Sequence, residues 1–273
     1  MPKYREHALV EKFFDVRSAI YAKRAWLCSE AAKFDYRQTK EALLSALKPQ
    51  ANENILEIGC GPGTWTGIVA GKCKELTAID ISAEMLDAAK RAANKKNVKF
   101  VKCDFLDYRT NRKFDKVFMV RVIESFKNKE QAIRKISKML KPNGKLVIIS
   151  KTTPSIWDVS PRIRRFFAGI GFFKLRDADM PRVYVENISA GGLMKLLKRN
   201  GFSHLSLGFA VLRPPLFKKD DREIPIIIKQ LEKPALKFSE MISRFCEVLP
   251  APFKWIFYWF SESYVVCATK MEI

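Results

Sequence analysis

One short stretch constrains the fold of this chain more than any other. Residues 55–63 read Ile-Leu-Glu-Ile-Gly-Cys-Gly-Pro-Gly. The apolar first half predicts a buried parallel strand, because strands covered on both faces are almost continuously apolar. The alternating glycines predict a tight turn, since a residue without Cβ is needed where the backbone takes unusual dihedrals or lies against a ligand. Residues 64–70 then favour a helix with Thr64 as its N-cap.

A second strand completes this pattern. Residues 76–79 read Leu-Thr-Ala-Ile, and Asp80 follows them. In nucleotide-binding strand–helix–strand units, an acid about 20 residues after the glycine turn holds the ribose hydroxyls. The sequence therefore predicts an α/β fold with a ribose-containing ligand at Asp80. The glycines are spaced G-x-G-x-G rather than G-x-G-x-x-G, and they follow Glu57, whose charge favours a cationic ligand over a pyrophosphate.

The stretch resembles motif I of the class I S-adenosylmethionine (SAM) dependent methyltransferases. Four later segments resemble the same family in order: Asp-Ile-Ser-Ala-Glu-Met-Leu at 80–86, Cys-Asp-Phe at 103–105, a strand at 114–120 followed by Arg-Val-Ile-Glu-Ser, and Leu-Lys-Pro-Asn-Gly-Lys-Leu at 140–146. The resemblance covers residues 55–150. It implies a Rossmann-like, seven-stranded, mostly parallel sheet with helices on both faces, extended by helical cap insertions.

The resemblance also implies SAM as cofactor, S-adenosylhomocysteine (SAH) as product, and no metal. In it, Asp104 and Phe105 contact the adenine, Ile81 and Met85 flank it, and Arg37 is a candidate for the ligand carboxylate. Ordinary alternatives stay open for two of these: Met85 as a core residue and Arg37 as a solvated helix charge. The complete predicted cofactor set is Arg37, Glu57, Gly59, Cys60, Gly61, Gly63, Asp80, Ile81, Met85, Asp104, Phe105 and Val120.

The layout most resembles the type-11 group, which includes the ubiquinone and menaquinone C-methyltransferases. This implies methyl transfer to a small hydrophobic acceptor such as a quinone, isoprenoid or lipid-like molecule. Arg121 and Ser125 stand where the family pattern often has histidines, so a histidine-base mechanism does not carry over. Arg121 and Glu124 are the candidate catalytic residues. Two alternatives remain: an RNA methyltransferase that uses a basic surface, and a catalytically inactive scaffold with the same fold.

The pattern along the chain predicts one structural domain with a cap. Residues 1–50 form a helical lid, 51–150 the SAM-binding core, and 151–187 a substrate-side insertion. Residues 188–212 and 261–273 complete the sheet, and 213–260 form an aromatic-rich helical insertion.

Composition limits the compartment and the partners. The six cysteines are scattered without a C-x-x-C pair and there are only two histidines, which favours a reduced, cytoplasmic protein without a histidine-rich metal site. No signal peptide is visible at the start of the sequence, and no apolar run approaches the ~18 residues of a membrane span. The formal charge of +21 suits an anionic membrane, nucleic acid or acidic substrates, with a lysine-rich proteome bias as the alternative.

Two extended segments pair aromatic with basic residues. They are residues 162–176 and 253–260, and the helical face Phe238, Met241, Ile242, Phe245 and Leu249 precedes the second. Such composition suits a helix lying in the inner face of an anionic membrane, although the two segments could instead pack on each other as a cap. The sequence favours a membrane over nucleic acid, because the fourth strand is not followed by an Asn/Asp-Pro-Pro-aromatic run. It leaves the oligomeric state open.

Overall fold

The computed structural model describes residues 7–16, 21, 26–153, 185–212, 226–248, 258 and 261–272. The strands are β1 (Asn54–Ile58), β2 (Glu75–Asp80), β3 (Val98–Lys102), β4 (Phe114–Val120), β5 (Leu140–Lys151), β6 (Phe202–Leu212) and β7 (Ser261–Lys270). The α-helices are α1 (His7–Asp15), α2 (Glu30–Leu47), α3 (Thr66–Ala70), α4 (Ala83–Ala93), α5 (Lys129–Met139), α6 (Ala190–Arg199) and α7 (Ile226–Val248). A 3-10 turn spans Ile123–Ser125.

All seven strands form one sheet in the order β3-β2-β1-β4-β5-β7-β6. Strands β1 to β5 pair in parallel, while β7 runs antiparallel to both β5 and β6. This arrangement confirms the predicted Rossmann-like α/β fold. The strand order reverses between β1 and β4, and in open parallel sheets a ligand crevice forms at the carboxyl ends of the strands beside such a reversal.

Alternate residues of the central strands feed two apolar layers, as the two-residue period of a strand requires. On one face, β4 contributes Val117 and Met119 to a cluster with Ile133 of α5 and Leu193 of α6. On the other face, Phe118 packs with residues of α2 and α3, including Leu43, Leu47 and Val69. The helices therefore cover both faces and hold the strand ends in fixed positions.

Helix beginnings test the predicted caps. The prediction for Thr64 is wrong: α3 begins at Thr66 after Trp65, which makes no side-chain cap bond. Two serines do cap helices. Ser82 Oγ accepts from Met85 N at 3.1 Å at the start of α4, and Ser29 Oγ accepts from Ala32 N at 3.0 Å at the start of α2.

Most of the predicted membrane segments, residues 162–176 and 253–260, lie outside the described residues, with Tyr258 as the exception. Of the helices that the structure does describe, none is long and apolar enough to cross a membrane.

Candidate active site

A cavity of about 280 Å³ opens at the carboxyl ends of β1, β2 and β4. It lies at the strand-order reversal, where the fold places a ligand. Nine of the twelve predicted cofactor residues line it: Gly59, Cys60, Gly61, Asp80, Ile81, Met85, Asp104, Phe105 and Val120. Arg121 lines it as well. The sequence segments that carry the motif are thus brought to one place.

Hydrogen bonds tie the glycine turn to the end of β2. Gly61 N donates to Asp80 Oδ2 at 2.7 Å, and Ser82 N donates to Asp80 Oδ1 at 3.0 Å. The Ile79 carbonyl accepts from Gly59 N at 2.8 Å and from Cys60 N at 3.0 Å. The carboxylate of Asp80 is therefore held by backbone donors while it lines the cavity.

The three glycines of the turn have different surroundings. A Cβ on Gly63 would lie 2.8 Å from Ala89 Cα of α4, and a Cβ on Gly59 would lie 2.5 Å from Val122 Cγ2. A Cβ on Gly61 would meet no protein atom within 4 Å, although the φ of +52° is left-handed. Gly59 and Gly63 thus allow close packing of the protein itself, whereas the space beside Gly61 belongs to the cavity.

Two buried carboxyl groups lie at this turn. Burial, with a smaller contribution from the nearby Asp80, raises the pKa of Glu57 to about 8, against the hydrogen bond that Thr66 Oγ1 donates to Glu57 Oε2 at 2.7 Å. Burial also raises the pKa of Asp80, while the N–H groups of Ser82 and Gly61 act in the opposite direction. Neutral Glu57 is thus the favoured form near pH 7, and its bond to Thr66 links β1 to the start of α3.

A second wall of the cavity contains Asp104 and Phe105, the two residues predicted to contact the adenine. Asp104 Oδ1 accepts from Leu106 N at 2.6 Å, which fixes the loop after β3. The Phe105 ring is almost fully buried and meets the Phe126 ring edge-on at 5.9 Å. An apolar ring beside a carboxylate suits a purine with an amino group, because one provides a stacking surface and the other an acceptor.

One wall of the cavity is aromatic, and the sequence interpretation missed most of it. Trp65 stacks on Tyr36 with centroids 5.4 Å apart and meets Trp26 edge-on at 5.0 Å. Both tryptophans line the cavity, as do Phe14 and Tyr21 of the leading segment. The position of Trp65, two residues after the last glycine of the turn, was the one signal in the sequence that could have indicated its role.

Helix α1 is fastened above this cavity by polar contacts. Glu11 pairs with Lys102 of β3 at 2.7 Å, and Asp15 accepts a hydrogen bond from the Ser82 hydroxyl. These contacts hold Phe14 at the cavity wall, and the role of residues 1–50 as a lid over the cofactor stays a prediction.

The two predicted catalytic residues have different surroundings. Arg121 follows β4 with a left-handed φ of +57°. Its guanidinium lies 6.0 Å from the Trp26 ring centroid and 3.4 Å from Glu262 Oε1. Glu124 is buried, and its Oε1 accepts from Ser150 Oγ at 2.7 Å and Lys151 N at 3.0 Å. Arg121 lines the cavity, whereas Glu124 is not among the described residues that do so.

Three predicted cofactor residues are likewise absent from the described part of the lining: Arg37, Glu57 and Gly63. Arg37 is exposed on α2, Glu57 is buried against Thr66, and Gly63 packs on α4. Their roles toward the ligand stay predictions. Within the described ranges, no group of three or more His, Cys, Asp and Glu residues could hold a metal ion.

Comparison with known proteins finds a family model that matches the central part of the chain. Residues 56–148 match the family model of a type-11 methyltransferase domain. Nodulation protein S of Rhizobium tropici is 29% identical over 118 residues, which cover 42% of this chain and 50% of that protein. A malonyl-[acyl-carrier protein] O-methyltransferase of Enterobacter lignolyticus is 27% identical over 194 residues, covering 64% of this chain and 74% of that protein.

Solved structures share the fold at low identity. Magnesium protoporphyrin IX methyltransferase of Synechocystis PCC 6803 with bound SAH has a TM-score of 0.60 at 14% identity, with 97% of this chain and 100% of that chain covered. The [4+2]-cyclase SpnF has a TM-score of 0.61 at 17% identity, with coverage of 99% and 98%. At such identities the likeness concerns the fold alone.

Residues 56–148 therefore form a SAM-dependent methyltransferase domain that matches the type-11 family model. The observed cavity fits the cofactor of that family, since open space beside Gly61 meets the carboxylate of Asp80. The narrower likeness to quinone C-methyltransferases stays a prediction. The chain spans only about half the length of some curated relatives that it matches. Their reactions are therefore not assigned to this chain by similarity.

Proposed function

We propose that this protein transfers the methyl group of SAM to a small, largely apolar acceptor. The observation that carries the proposal is the Asp80 carboxylate, which is held by Gly61 and Ser82 and faces a cavity with an aromatic wall. Within that wall, Trp26 and Trp65 offer apolar contact and edge-on or stacked ring packing to an acceptor.

The residues would divide the work as follows. Asp80 would hold the ribose hydroxyls, while Asp104 and Phe105 would bind the adenine. SAM, when bound, supplies a methyl group on a positively charged sulfur. An electron-rich atom of the acceptor would attack the methyl carbon in line with the carbon–sulfur bond, which would break to leave SAH. The aromatic wall would exclude water and hold the acceptor in line, and such positioning supplies much of the rate in reactions of this kind.

Arg121 and Lys127 are the cationic side chains in the described lining of the cavity, and Arg121 lies beside Trp26 of the aromatic wall. The Arg121 guanidinium would orient an electronegative group of the acceptor, or stabilise the anion formed when that group loses a proton before it attacks. Glu124 is sequestered by Ser150 and Lys151, so a proton leaving the acceptor would have no direct path to it across the described lining. We therefore assign Arg121 a positioning role and assign Glu124 a supporting one.

The test has two parts, because a similar fold occurs in SpnF, which is a [4+2]-cyclase. Calorimetry should show binding of SAM and SAH at one site. Methyl-labelled SAM should then be incubated with separate lipid, RNA and polar-metabolite extracts of the host. Label in the lipid extract supports the proposal. Label in RNA would favour the RNA methyltransferase, and SAM binding without label transfer to any extract would favour the inactive scaffold.

A further inference from the structure

Helix α7 presents large apolar side chains on two opposite faces. On the inner face Leu236 and Cys246 are buried, and Leu236 packs with Phe34 of α2 and Val211 of β6. On the outer face Phe238, Met241 and Phe245 are 57%, 59% and 58% exposed. Their spacing of three and then four residues places all three on one stripe of the helix.

This stripe differs from ordinary surface exposure. A helix on the surface of a soluble protein usually turns charged and polar residues outward, and single exposed apolar residues need no explanation. Elsewhere in the described ranges, the large exposed apolar side chains belong to separate segments, as with Leu207 on β6 and Met271 after β7. The α7 stripe joins two phenylalanines and a methionine on adjacent turns.

Basic residues border the stripe. Lys237 and Arg244 are exposed, and at 100° per residue both fall within a quarter turn of Met241 on the same side. Glu240 lies further round and pairs with Arg244 at 2.9 Å. An apolar stripe with lysine and arginine along its edge is the pattern of a helix that lies in the plane of a membrane, with its cations at the anionic head groups.

We infer that the outer face of α7 binds an anionic membrane surface, with the helix lying in the plane of the membrane. A second copy of the chain would be the other occupant of an apolar stripe. In a symmetric dimer with antiparallel α7 helices, however, Lys237 and Arg244 of both copies would lie on the same side of the contact and bring like charges together, which opposes that arrangement. The formal charge of +21 adds long-range attraction to anionic lipid. The inference concerns binding alone and does not depend on methyl transfer.

The experiment is sedimentation of the full chain with lipid vesicles. One set consists of phosphatidylcholine and the other of phosphatidylcholine with phosphatidylglycerol. We expect binding to the second set at low salt, weakening as salt is raised. A combined Phe238→Ser, Met241→Ser, Phe245→Ser variant should lose at least about tenfold in apparent affinity, because the apolar contribution to interfacial binding is removed. The matched control is Leu207→Ser with Met271→Ser, which removes two exposed apolar side chains elsewhere and should bind as the parent does.

Two further measurements make the outcome unambiguous. Lys237→Gln with Arg244→Gln should reduce the salt dependence of vesicle binding, since two head-group contacts are lost. SAH calorimetry and light scattering on each variant confirm that the fold and the oligomeric state are unchanged. Absence of binding to the anionic vesicles, or unchanged binding by the triple variant, would overturn the inference. A triple variant that turns a dimer into a monomer, with vesicle binding absent in the parent, would overturn it in favour of a second copy.

Discussion

The backbone N–H of Gly61 donates a hydrogen bond to Asp80 Oδ2 at 2.7 Å, which joins the turn after β1 to the end of β2. The two residues are 19 positions apart in sequence. The same carboxylate lines the cavity and is the group predicted to hold a ribose. Asp80 thus has a structural role beside its predicted ligand role, and an informative substitution has to separate the two.

Asp80→Asn does so, because asparagine keeps the side-chain shape and one acceptor oxygen but loses the charge. We expect SAH affinity to fall by about 30-fold or more, since removing one partner of a charge-assisted hydrogen-bond pair costs roughly 2–4 kcal/mol. The Tm should fall by the equivalent of about 1–3 kcal/mol, because the amide nitrogen cannot accept from one of the two backbone N–H groups that bond to the carboxylate. Calorimetry and thermal melts measure the two effects. Asp87→Asn, at an exposed carboxylate on α4, is the matched control, and unchanged SAH affinity in a folded Asp80→Asn protein would exclude the ribose role.

Gly61→Ala should mainly reduce SAH affinity, whereas Gly63→Ala should mainly reduce thermal stability. A methyl group at Gly61 meets only the cavity, so the protein should fold with about 1 kcal/mol of backbone strain and lose most of its SAH affinity. A methyl group at Gly63 would lie 2.8 Å from Ala89 Cα, so this variant should lose thermal stability first. If Gly61→Ala binds SAH as the parent does, the open space beside it is not the ligand's.

The sequence predicted this part of the site well because its determinants are local. An apolar run ending in a glycine turn, and a second run ending in Asp80, fix which atoms meet at the carboxyl edge once the strands pair in parallel. Ser82 as a helix cap is likewise decided by residues within one turn. Nine of the twelve predicted cofactor residues line the cavity for this reason.

Predictions that depended on distant packing were less successful. The aromatic wall of Trp26, Tyr36 and Trp65 unites residues from the leading segment, α2 and the glycine turn, and no local pattern links them. Thr64 carried the chemistry of a cap, but the helix begins at Thr66, whose hydroxyl donates to the buried Glu57. That bond joins residues of two elements, and it satisfies a buried carboxyl group that could not be left without a partner.

Glu57 should make stability depend on pH in a specific direction. Its pKa is about 8 in the folded protein against an ordinary value of 4.5. Between these values the unfolded chain has released a proton that the folded protein keeps, so the free energy of unfolding falls as pH rises through this window. Glu57→Gln cannot titrate and can still accept from Thr66. Its Tm should therefore decline less than the parent's between pH 5 and 8, roughly the span of the shift, in ligand-free protein.

The comparison of slopes removes the contribution of Asp80, whose pKa is also raised and which is present in both proteins. The effect of a buried amide on stability is the same at every pH in this range, and for that reason the slope, rather than the Tm at one pH, is the diagnostic quantity. Parallel Tm curves for the two proteins would show that Glu57 is ionised in the folded state.

Arg121 and Glu124 should separate in steady-state kinetics once an acceptor has been identified. Arg121→Met keeps length and apolar contact with Trp26 but removes the charge, so kcat/KM should fall by at least about tenfold while SAH affinity stays unchanged. Glu124→Gln can still accept from Ser150 and Lys151, and its kcat/KM should stay within about threefold of the parent's. A large loss of kcat in Glu124→Gln, together with loss of the acidic limb of the pH–rate profile, would identify Glu124 as a general base and contradict the supporting role assigned from its burial.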